Sequence, residues 1–136
     1  MPGPPPHFAP LLRERRGYLA TLGSEGPHVV PVCFTWAGDQ IWTSVDAKPK
    51  RGEQLQRLKD IEGSASVAFA VDRWDEDWSR LAWLQARGRA TILREGDESR
   101  KAQAALKSKY PQYQETPVEG PVIRIDVDRW VGWSAE

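Results

Sequence analysis

One cysteine, one methionine and two histidines in 136 residues leave little for protein-borne chemistry. The single Cys33 excludes an intramolecular disulfide. With no second thiol and only His28 nearby, it also lacks the spacing of a metal site, and it reads as a small buried hydrophobe. Of the two imidazoles, His7 lies in a Pro-rich opening, which leaves His28 as the one neutral-pH base within the domain. A Ser-His-Asp reading finds no motif context. Excess charge is missing too: 19 Lys plus Arg oppose 19 Asp plus Glu, a net charge of zero. Global steering toward nucleic acid or an anionic membrane is thereby removed. No apolar run approaches the length of a membrane span, and Met1 to Arg16 has neither the apolar centre nor the cleavage site of a secretory signal. The expected address is cytoplasmic, with no membrane partner.

What is present is a chain that is 40% hydrophobic and 28% charged, with seven Trp. That balance fits one globular domain, read as residues 8–136 behind a disordered Pro-rich lead at 1–7. A chain of this length buries roughly two-thirds of its unfolded surface. A deep ligand cleft is then easier to build between two copies than within one. Trp is large, flat and amphipathic, which suits planar ligands and interfaces as well as core packing.

Hydrophobic periodicity supplies the elements. Gly17 to Leu22 reads as a strand, and the Gly23-Ser24-Glu25-Gly26-Pro27 turn folds it into a hairpin. His28 to Trp36 reads as one long second strand, with Val30, Val32, Phe34 and Trp36 on one face. Pro31 donates nothing to a ladder, so that strand belongs at an edge or is irregular there. Gln40 to Val45 makes a third strand. Leu55, Leu58 and Ile61 recur at helical spacing within Glu53 to Ile61. Ser66 to Trp74 and Arg80 to Leu93 read as the fourth and fifth strands, with Gly88 as a bend or bulge. Asp97 to Tyr110 reads as a second helix stopped by Pro111, and Val122 to Trp133 as a sixth strand. The expected fold is mostly β: six antiparallel strands with short helices, closed into a barrel to remove exposed edges.

The clearest charge feature is Lys48, Lys50 and Arg51, followed by Arg57 and Lys59, between a strand end and a helix start. Cations beside a helix N-terminus suit a phosphate group, although charge alone favours a solvated basic face. The glycines and the Lys-Ser/Thr ending of a nucleotide P-loop are absent. Zero net charge and the shortness of the patch count against nucleic acid.

The segments GYLATLGSEGPHVVPVCFTW, IWTSVDAKPKR and RLKDIEGSASVAFAVDRWDEDWSRLAWLQARGRA together resemble the FMN-binding split β-barrel superfamily, also called pyridoxamine 5′-phosphate oxidase-like. Within it, the chain is similar to the branch of probable coenzyme F420-dependent enzymes, over about Phe8 to Trp133. The resemblance implies a six-stranded split barrel and a homodimer with two cofactor sites between subunits. It implies a ring system against Val30, Pro31, Val32 and Cys33 and against Trp42, Thr43 and Ser44. Lys48, Lys50 and Arg51 would hold the tail phosphate, and Trp83 would reach across from the second subunit. The implied activity is hydride transfer between coenzyme F420 and a small unsaturated or quinone-like acceptor. FMN, or a non-catalytic flavin, deazaflavin or haem binder, stands as the alternative. Cofactor-borne chemistry would account for the scarcity of acids and bases. The chain departs from the pyridoxamine phosphate oxidases proper, which have an Arg and a Lys where it has His28 and Cys33.

Overall fold

The computed structural model describes residues 3–45, 53–116 and 118–136, with the side chains of 53–55 left aside. Seven strands form one antiparallel sheet: β1 (Gly17–Gly23), β2 (Gly26–Val32), β3 (Thr35–Ala37), β4 (Gln40–Ser44), β5 (Ser66–Arg73), β6 (Ala82–Leu93) and β7 (Val122–Ser134). Two helices accompany them, α1 (Glu53–Gly63) and α2 (Asp97–Lys109). In space the strands run β2-β1-β5-β6-β7-β4-β3. The two outer strands of that order are consecutive in the chain, joined only by Cys33 and Phe34. So short a link between opposite edges requires the sheet to roll up, and the barrel is split where the chain crosses.

The expected second strand is therefore two strands, and the count is seven rather than six. Its inward alternation nevertheless persists, with Val30, Val32 and Phe34 all buried. Pro31 lies within β2, opposite Tyr18, on an edge strand where its missing N–H breaks no ladder. The bulge expected at Gly88 is present. Arg87 faces Arg129 and Gly88 faces Val127, so Asp128 has no partner in β6.

Alternate residues of every long strand fill the barrel. Leu19, Phe34, Ile41, Phe69, Val71, Leu84, Ile123 and Ile125 are almost wholly buried, each side chain contributing about 1.5–3 kcal/mol. A 3-10 turn, Ala9–Arg13, adds Leu11 and Leu12 to the same core. Residues 3–7, expected as a disordered lead, lie against the barrel: the Pro5 carbonyl accepts the Phe8 N–H at 2.9 Å, and His7 Nε2 meets Ser134 Oγ at 3.1 Å.

Helix α1 anchors through Asp60, whose carboxylate accepts from Thr21 Oγ1 at 2.8 Å and Gln56 Nε2 at 2.7 Å. Helix α2 packs on β3, β4 and β7. The outward residues of β2, β1, β5, β6 and the end of β7 form a further face, including Val29, Leu22, Trp83 and Trp133, all exposed. Among the described residues, no helix is long and apolar enough to cross a membrane.

Candidate functional site

The crossing at Cys33–Phe34 leaves backbone groups without strand neighbours, and side chains from β4 and the end of α2 supply them. Thr43 Oγ1, from β4, donates to the Cys33 carbonyl at 2.6 Å. The Phe34 N–H donates to Tyr110 Oη at 3.1 Å, and Tyr110 Oη donates in turn to the Arg15 carbonyl at 2.8 Å. One phenol at the end of α2 thus ties the segment before β1 to the split. Burial pushes the Tyr110 phenol up to about 12. Beside it, the Lys109 ammonium lies 3.6 Å from the centre of the Phe34 ring. Burial, reinforced by the charge of Arg15, pulls Lys109 down to about 8.

A cleft of about 280 Å³ opens along this split. Pro31 and Val32 of the β2 edge and Cys33 just beyond it form one wall and Ser44 at the end of β4 another, while Arg15, Arg16, Arg57 and Tyr113 close the rest. The guanidinium of Arg15 donates to the Lys109 carbonyl at 2.6 Å and stacks 5.3 Å from the centre of the Tyr110 ring. Arg16 lies 5.7 Å from the centre of Tyr18. Among the described residues, the lining carries three guanidinium groups and no carboxylate or imidazole. Such a lining suits an anionic ligand, and among its described residues the Cys33 thiol and the Tyr113 phenol are the only titratable groups besides the guanidiniums.

Of the residues expected in the site, the structure brings Pro31, Val32, Cys33 and Ser44 together in this cleft. Val30 and Thr43 point into the barrel. Trp42 turns to α2, where its Nε1 donates to Glu98 Oε2 at 3.0 Å. That bond, with support from Arg124, holds the Glu98 carboxyl below the usual carboxylate range. Trp83 sits on the uncovered outer face opposite Trp133 and does not line the cleft of its own chain. Lys48, Lys50 and Arg51 lie outside the described residues. Sequence reasoning missed Arg15, Arg16 and Tyr113 and placed Arg57 only in a charge run. The signal for the first two was the Arg13-Glu14-Arg15-Arg16 run directly before β1.

Solved structures share this fold. A conserved hypothetical protein of Mycobacterium tuberculosis is 21% identical, with a TM-score of 0.77 over 96% of this chain and 84% of that one. A protein described as an F420 reductase is 22% identical, with a TM-score of 0.70 over 93% and 98% of the two chains. A putative 5-nitroimidazole antibiotic resistance protein of Bacteroides thetaiotaomicron is 17% identical, with a TM-score of 0.71 over 90% and 78%. No curated protein matches the chain. The family model described as pyridoxamine 5′-phosphate oxidase matches residues 5–134. With nearly the whole barrel inside that match, the chain belongs to the pyridoxamine 5′-phosphate oxidase family.

Proposed function

We propose that the protein is a deazaflavin-dependent oxidoreductase, binding coenzyme F420 along the split and passing a hydride to a small unsaturated or quinone-like acceptor. The observation that carries this reading is the cleft itself, with three guanidinium groups, an edge strand and, among the described residues, no carboxylate or imidazole. A tricyclic cofactor with an anionic tail fits that donor set. Arg15, Arg16 and Arg57 would meet negative charge, and outward backbone groups of β2 would meet the polar edge of the ring. The redox chemistry would come from the cofactor; the chain would bind it, orient it and shield it. Lys48, Lys50 and Arg51 would add charge for the tail phosphate. The similarity to an F420 reductase favours the deazaflavin over FMN.

At about 280 Å³ the cleft falls just below the range of ligand pockets, roughly 300 to 1,000 Å³. A homodimer packed through the uncovered face would supply a further wall, with Trp83 of the second copy as the contributing residue. The protein is read as cytoplasmic.

Separate titrations with F420 and with FMN, followed by ring fluorescence at fixed salt, test the assignment. Micromolar or tighter binding of F420 with weak binding of FMN is expected. The reverse preference would make the protein an FMN-dependent oxidoreductase, and failure of both to bind would overturn the reading. A folded protein that binds F420 but reduces nothing across an acceptor panel would be a carrier rather than an enzyme.

A further inference from the structure

A second cavity of about 260 Å³ opens across the split from the cofactor cleft, lined by Leu12, Arg13, Arg15, Thr35, Trp36 and Lys109. Its polar lining is lopsided. Three cations face one space, and none of them makes an ion pair with a carboxylate among the described residues. The Lys109 ammonium rests on the Phe34 ring at 3.6 Å and reaches only the Leu12 carbonyl, at 3.4 Å. Glu14, between Arg13 and Arg15 in the chain, offsets part of this charge at Lys109 but does not line the cavity, and a bound anion would neutralise more of it. Burial, and after it the charge of Arg15, pulls the Lys109 ammonium down, so an anion beside it would favour its charged form. The remaining lining is apolar or flat: Leu12 is almost wholly buried, and Trp36 is partly buried against the core.

We propose that this cavity is a binding site for a small planar organic carboxylate. Arg13, Arg15 and Lys109 would meet the carboxylate, Thr35 would add a hydroxyl, and the flat body would lie against Trp36. Arg can grip two carboxylate oxygens at once, and Lys adds a point charge. A tetrahedral anion such as phosphate would use the charge but not the flat indole. The site is separate from the proposed cofactor cleft, although Arg15 lines both.

Calorimetric titration of the full chain with benzoate, without any cofactor, tests this. Saturable binding at one equivalent per chain is expected, weakened at least fivefold in Arg13→Gln and in Lys109→Met and unchanged in Arg16→Gln, a residue that lines the other cleft alone. Arg13 is exposed, so its substitution leaves the fold intact even where Lys109→Met does not. Inorganic phosphate is expected to bind at least fivefold more weakly. The proposal is overturned by absence of saturable heat, by binding that survives both Arg13→Gln and Lys109→Met, or by binding lost only in Arg16→Gln. Phosphate binding as tight as benzoate would overturn the ligand class.

Discussion

Lys109 and Tyr110 are neighbours with opposite protonation demands, and both act at the split. Lys109 releases its proton near about 8 when folded and at 10.5 when unfolded. Between those values the unfolded chain binds more protons at this residue, so stability rises with pH. Tyr110 keeps its proton to about 12 when folded and loses it at 10.0 when unfolded, so it makes stability fall with rising pH across that window. Urea midpoints of the wild type should therefore climb from pH 8 toward 10 and decline beyond. Lys109→Met should lose the climb and keep the decline. A wild type and variant with parallel pH profiles would show that Lys109 is not penalised by folding. The decline originates in burial of the phenol, whose neutral form donates to the Arg15 carbonyl and accepts from the Phe34 N–H.

At the scale of elements, β6 and β7 carry the longest ladder of the sheet, and Gly88 is where it changes register. A Cβ there would collide with the Asp126 carbonyl oxygen, and backbone cannot swing aside as a side chain does. Gly88→Ala should destabilise the fold by about 1–3 kcal/mol, the usual range for overpacking, read as a lowered urea midpoint; an unchanged midpoint would mean the ladder can shift. That bulge was legible because an isolated glycine in a strand pattern is a local signal. The helices and the alternating strands were legible for the same reason. The break between β2 and β3 was not, since Val30, Val32 and Phe34 continue one alternation through it. What divides them is the passage from one sheet edge to the other, which is set by pairing with residues far along the chain. The site was half legible on the same grounds. Pro31, Val32, Cys33 and Ser44 could be placed in it by likeness. Trp42 could not be removed from it, because the carboxylate of Glu98 that holds its indole lies 56 positions away. Arg15 and Arg16 looked like an ordinary charge run until the fold brought them beside the β2 edge.

For the whole molecule, zero net charge conceals a separation. The cations of the two cavities gather at the split, whereas Asp72, Asp75, Glu76 and Asp77 cluster around the β5–β6 connection, only partly answered by Arg73 and Arg80. The same chain leaves one sheet face with Val29 at 62%, Leu22 at 50%, Trp133 at 45% and Trp83 at 39% exposure. Apolar side chains concentrated on one face mark an association surface more often than a solvent surface. A two-fold pairing through such a face is self-complementary, since each copy presents the same patch. Under the proposed homodimer, a carboxylate introduced at Val29, the most exposed apolar position of that face, would be buried twice, once from each copy, next to apolar neighbours. Val29→Glu is therefore expected to sediment as a monomer while keeping the circular dichroism of the wild type, and to bind the cofactor more weakly than the wild type does. A variant that remains dimeric would move the interface to another face. A monomeric wild type that still binds F420 would show that one chain suffices to build the cleft, leaving the exposed Trp residues to another partner.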